Sequence, residues 1–166
     1  MDPTLHEREI RSTIAGLWPS FRGSDRDWTR ATFEALRDLG SRFGYESRYS
    51  AKCGGSGEWL WDFLWCERDP RSGHIVSLPL VAESEWAKAT LRHDFEKLLV
   101  ADAPLKLIIL QKLTDEQLKT AVAELRSYSL SYRGTPGLYL AAGWVYGGGA
   151  PHPSFESWRS NNAPAT

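Results

Sequence analysis

Between Glu58 and Trp86 the chain carries two runs, WLWDFLW and IVSLPLVAESEW, that leave little choice of fold. The first is apolar on both faces apart from Asp62, which predicts a central strand covered on both sides. The second predicts another strand, with Val81, Glu83 and Glu85 pointing one way if the strand persists that far. A carboxylate in such a run is costly unless it is paired, hydrogen-bonded or bound to a metal. Asp62, Glu83 and Glu85 are therefore the positions that need explaining.

The flanking sequence supplies a scaffold for these strands. Leu5, Ile10, Ile14 and Leu17 mark a first helix from Thr4, stopped by Pro19. The polar link SFRGSD ends in Asp25 or Asp27 as N-cap of a second helix, about Trp28 to Phe43, which Gly44 terminates. From Tyr45 the period changes: Tyr45, Ser47, Tyr49 and Ala51 alternate with Glu46, Arg48, Ser50 and Lys52, as in a half-exposed strand. The GGSG that follows predicts a hairpin turn; a phosphate-binding loop would continue into GK[ST] and a helix, and this one does neither.

Beyond the third strand, Leu91, Phe95, Leu98 and Leu99 form the buried stripe of a helix that starts at Ala87 or Thr90 and ends at Val100. LKLIIL then predicts a parallel strand reached by a crossover. Thr114 and Gln117 are spaced as a capping box for one more helix, and GLYLAAGWV is read as the last strand, with GGG and PHP ending the regular part. The tail SNNAPAT is expected to be disordered, with the domain ending at 160 and residues 161–166 beyond it. The fold class is thus α/β (α+β): one mixed sheet flanked by helices, in a single domain over residues 1–160.

Composition narrows the function. Twenty Lys and Arg stand against 21 Asp and Glu, a net charge of −1, which argues against polyanion binding through the whole surface and leaves only a local basic cleft. Eight tryptophans imply an aromatic core or a sticky surface. Trp59, Trp61 and Trp65 are read as core rather than as a base-stacking platform. Cys53 and Cys66 form no metal-ligand spacing and are read as reduced residues on neighbouring strands. The polar, acidic start is no signal peptide and no apolar run has the length of a membrane span, so a cytoplasmic, membrane-free protein is expected.

If the second and third strands pair through the loop ERDPRSGH, Asp62 and Glu83 become cross-strand neighbours, with Cβ atoms about 5 Å apart. Two carboxylates that close need a cation, a shared proton or a basic partner. Mg²⁺ or Mn²⁺ held by Asp62 and Glu83 would suit hydrolysis of a phosphodiester, with Glu85 positioning or deprotonating the water and Lys97 stabilising developing charge. Each residue also has a plain structural reading. Asp62 pairs with Arg48 or a tryptophan indole, Glu83 and Glu85 open a helix capped by Ser84, and Lys97 is a solvated lysine beside Asp94 or Lys88. Glu34 lies on the polar face of its helix, outside the site, and His74 and His93 are read as surface residues.

With Asp62 in the second strand, Glu-x-Glu at 83–85 closing the third and Lys97 on the next helix, the chain resembles the PD-(D/E)XK nuclease superfamily over roughly Trp28 to Leu110. That resemblance implies an αβββαβ restriction-endonuclease-like core and Mg²⁺-dependent cleavage of DNA or RNA. It makes Asp62 the motif's first acid and Glu83 its second. Glu85 stands where the family usually has lysine, and Trp61 where it usually has proline. In some members the lysine has moved to the following helix, the position Lys97 would fill. Two functions remain open at this point: an active metal-dependent nuclease, and an inactive nuclease-like interaction protein acting as a homodimer or complex subunit.

Overall fold

In the computed structural model, residues 2–17, 24–57, 59–85, 90–146 and 152–160 are described. Two helices lead the chain, α1 (Pro3–Leu17) and α2 (Asp25–Arg42). Ser24, not either aspartate proposed from the sequence, is the N-cap of α2. Its hydroxyl accepts from the Asp27 N–H, and the Asp27 carboxylate accepts from the Ser24 N–H in return. Asp27 serves as the third residue of this capping box, satisfying donors that the first turn leaves unpaired. Gly44, at φ 82°, takes the left-handed conformation just past the end of α2.

Six strands then build one sheet in chain order: β1 (Glu46–Tyr49), β2 (Phe63–Arg68), β3 (Ile75–Glu85), β4 (Leu105–Leu113), β5 (Leu138–Val145) and β6 (His152–Arg159). The first three form an antiparallel meander. Helix α3 (Leu91–Val100) carries the chain across to β4, parallel to β3, and α4 (Asp115–Ser131) carries it to β5, parallel to β4. The expected Thr114–Gln117 capping box opens α4. The fold is therefore α+β, and the described residues form a six-stranded mixed sheet flanked by four α-helices.

Side chains alternate across the sheet and so divide the core in two. Leu80, Ala82, Leu107 and Leu140 pack with Ile10, Phe33, Leu36 and Leu39 on the α1 and α2 side. Val81, Ile108, Leu110 and Tyr139 pack with Phe95, Leu98, Leu118 and Leu125 on the α3 and α4 side. Trp65 is fully buried under α2, donating its indole N–H to the Leu36 carbonyl at 2.9 Å. No helix among the described residues is long and apolar enough to cross a membrane.

Three further sequence expectations are corrected. The second strand begins at Phe63, so Asp62 precedes it instead of lying within it. The chain is still leaving the Gly-rich turn, where Gly54 and Gly57 have positive φ, and Trp59 and Leu60 are 49% and 55% exposed. Of the WLW triplet only Trp61 turns inward, to hydrogen-bond the Lys97 carbonyl at 3.0 Å. Second, Ser84 is not a helix cap but a residue of β3, which runs through Glu85. Third, regular structure does not end with β5. The segment HPSFESWR forms β6, held by the buried Trp158, whose indole N–H meets Ser129 Oγ at 2.9 Å and whose ring stacks on Tyr139. Its Pro153 is tolerated because this is an edge strand. The expected tail over 161–166 and the proposed helix start at Ala87 lie outside the described residues.

Candidate active site

The C-terminal end of β3 meets α3 through one linked set of side chains. Glu83 is fully buried, and its Oε2 accepts from Lys97 Nζ at 2.8 Å. The same ammonium lies 2.8 Å from Asp94 Oδ1, one helical turn before it on α3. Glu85, two residues beyond Glu83 on the same face, reaches the Asp94 carboxylate. Glu83, Glu85 and Lys97, chosen from sequence, are thus joined through a residue that was not chosen, Asp94. Its signal was its place three residues before Lys97, the spacing that puts two helical side chains side by side.

Burial dominates the electrostatics of this set. It drives the Glu83 carboxyl up to about 8, against the hydrogen bond from Lys97 and aided by the charges of Asp62 and Asp94. Burial alone would lower Lys97, but the hydrogen bonds to Asp94 and Glu83 outweigh it and hold the ammonium firmly charged. Asp94 is also pushed up by burial, yet its bonds to Glu85 and Lys97 bring it below the usual range. Lys97 is therefore not the solvated lysine of the plain reading; its side chain is 21% exposed and bridges two acids.

Asp62 approaches from the start of β2. In the β2–β3 register Phe63 faces Ala82, which places Asp62 beside the end of β3. Its Oδ2 accepts from the Ser84 N–H at 2.9 Å, and its charge acts on Glu83. Arg48, the partner considered for Asp62, makes an ion pair with Glu46 at 2.7 Å and lies over the Trp59 ring. Ser84 faces the α2 side, where its hydroxyl, Thr29 and Gln111 form a small polar network with contacts of 3.1 to 3.5 Å. His74 and His93 are exposed, as expected.

Whether these residues suit a metal ion depends on the ion. Among the described residues no three His, Cys, Asp or Glu side chains are grouped to hold one, so an all-protein cage is not formed. Mg²⁺, however, is commonly bound through one or two carboxylates, with waters and substrate phosphate completing the shell. Glu83 Oε1 is buried without a hydrogen-bond partner, and Asp62 stands at the neighbouring strand end. A buried acceptor left unsatisfied costs about 1–3 kcal/mol. The pair Glu83 and Asp62 fits the sparse, Mg²⁺-type donor set.

Comparison with protein-family models, with curated proteins and with solved structures finds no match for this chain.

Proposed function

We propose that the chain is a divalent-metal-dependent nuclease of the PD-(D/E)XK type, hydrolysing phosphodiester bonds of nucleic acid. One observation carries this reading: Lys97, delivered by the helix that follows β3, places its ammonium 2.8 Å from Glu83. That is the arrangement expected if the family's lysine has moved from position 85 to α3. The order α2, β1, β2, β3, α3, β4 supports it, as does Asp62 at the start of β2.

Asp62 and Glu83 are the residues that would hold Mg²⁺ or Mn²⁺, which supplies charge neutralisation and an acidified water when bound. Lys97 contributes a positive charge fixed by two acids, set to stabilise charge on the attacked phosphate. Asp94 holds that lysine in place from its own helix, and Glu85 stands beside Asp94, which makes Glu85 a support of this set instead of a base acting on water. Cys53 and Cys66 are not joined in a disulfide, which agrees with a cytoplasmic setting.

A second reading is favoured by two observations. Glu83 is fully shielded, and Trp59 and Leu60 expose large apolar surface on the connection just before Asp62. A nuclease-like interaction protein, as homodimer or complex subunit, would use that surface.

Plasmid DNA, single-stranded DNA and RNA incubated with Mg²⁺ or Mn²⁺, against a chelated control, separate the two. Metal-dependent cleavage lost in Glu83→Ala and Lys97→Ala supports the nuclease. No cleavage at any metal concentration, or equal cleavage by Glu83→Ala, would sink it.

A further inference from the structure

The linked acids face α3, but Asp62 also opens onto the other side of the sheet. There, between the first turns of α2 and the turn that follows β1, lies a cleft of about 400 Å³. That is within the size range of pockets that enclose small ligands, about 300–1,000 Å³. Two cations line it, Arg26 and Lys52, both exposed and tied together by a 3.2 Å hydrogen bond from Arg26 Nη2 to the Lys52 carbonyl. The hydroxyl-bearing Thr29 and Ser84 line it too, backed by the Gln111 amide, which donates to Thr29 Oγ1 at 3.1 Å. Asp62 belongs to both places, lining the cleft while its charge acts on Glu83.

The chemistry of this lining selects a ligand. Two cations at one end call for an anion, and clustered hydroxyls beside them suit a sugar. Among the described residues the aromatic side chain of the lining is Phe33, 1% exposed and packed against Tyr49 and Phe63, with ring centroids 6.0 and 5.3 Å away. Its faces are occupied, so the described lining offers none of the stacking by which single-strand binders grip bases.

We propose that this cleft holds one nucleic-acid strand by its sugar–phosphate backbone, with Arg26 and Lys52 on a phosphate, Thr29 and Ser84 toward the sugar, and no readout of the base. The choice of nucleic acid rests on the nuclease reading; the cleft and its charges do not. The strand would run from the cations toward Asp62, the acid that the cleft shares with the Glu83 site. A chain of net charge −1 has no general attraction for polyanions, so two cations beside the site carry unusual weight.

The test is binding without cleavage. Fluorescence anisotropy of a short labelled single-stranded DNA is measured on the full chain in EDTA. Arg26→Gln and Lys52→Gln should each weaken binding roughly tenfold, the worth of one charged hydrogen bond. Each should also reduce the slope of log affinity against log salt by about 0.7. The loss should be the same for homopolymers of different bases, and Arg26→Lys should retain most of the affinity. Lys119→Gln, the same charge loss on an exposed position of α4, should bind like the parent. Thermal melts check that each variant folds.

No binding by the parent chain, parent-like binding by Arg26→Gln and Lys52→Gln, or a loss confined to one base overturns the proposal. Binding as described with no metal-dependent cleavage would remove the nuclease reading and leave the cleft standing. Cleavage with KM unchanged in both variants would remove the cleft alone.

Discussion

Lys97 Nζ lies 2.8 Å from Glu83 Oε2, joining α3 to the end of β3 by an ion pair whose acid has no solvent exposure. Such a pair contributes less than its Coulomb attraction suggests, because both charges lose water. Breaking it from one side is costly all the same, because the other charge stays behind. The pair also spans two consecutive elements and fixes how α3 sits on the sheet. Its energetics are therefore open to direct measurement.

Lys97→Ala should destabilise the protein more at pH 8.5 than at pH 5, by about 1–3 kcal/mol. The folded Glu83 carboxyl, raised to about 8, is protonated at pH 5 and needs little from Lys97 there. Raised above its unfolded value, it favours folding at low pH, and that contribution is lost as pH rises from about 4.5 through 8. At pH 8.5 the variant must hold Glu83 either unpaired or protonated against the solution. Urea unfolding in EDTA at the two pH values measures the difference; equal losses would contradict it.

Asp94→Asn should lower metal-dependent cleavage about tenfold through kcat, with KM little changed. Asp94 accepts from Lys97 at 2.8 Å and from its side sets where the ammonium stands. It is a positioning residue acting through Lys97, so Asp94→Glu should recover part of the loss. Steady-state cleavage of a labelled oligonucleotide reads both parameters, and an effect confined to KM would speak against this role.

Gly40→Ala should destabilise by about 1–3 kcal/mol, although alanine is the better helix former. A Cβ at Gly40 would overlap the indole of Trp65, which is fully buried and anchored to the Leu36 carbonyl. Neither partner has room to move without lifting α2 from the sheet. Denaturant unfolding followed by tryptophan fluorescence tests this, with a stabilised variant as the contrary result.

Lys106 is fully buried on β4, and burial lowers its ammonium to about 8. Its charge is eased by the Leu99 carbonyl, the Thr135 carbonyl and the Tyr139 hydroxyl at 3.3 to 3.5 Å. A folded value below the unfolded 10.5 means the unfolded chain binds the extra proton, so stability rises with pH from about 8 toward 10. Lys106→Met should flatten that rise. Thermal midpoints of both proteins between pH 7 and 10 show whether it does.

Much of this architecture was legible in the sequence because it follows from local period and local chemistry. The stripe Leu91, Phe95, Leu98 and Leu99 is buried as its spacing predicts, and Thr114 with Gln117 caps α4. The alternation from Tyr45 yields β1, although the strand stops at Tyr49 and Ala51–Cys53 form a 3-10 turn, and LKLIIL yields β4. The misread segments are those whose local pattern competes with tertiary contacts. WLWD has strand composition, yet it exposes Trp59 and Leu60 while Trp61 reaches for α3. HPSFESWR has a proline and scattered charges, yet it pairs with β5 along its whole length because Trp158 stacks on Tyr139.

For the site, the sequence by itself determined the candidates: acids at 62, 83 and 85 in strand-like runs, and a lysine on the helix behind them. Residue type and period carry that information along the chain. The tertiary structure alone decided which of them touch. It joined Lys97 to Glu83, inserted Asp94 between Lys97 and Glu85, and set Asp62 on the Ser84 N–H and the cleft of Arg26 and Lys52. The physical reason is that the reach of a side chain across elements depends on how α2 and α3 lie on the sheet. That docking is set by the two faces of the core, which no short stretch of sequence contains.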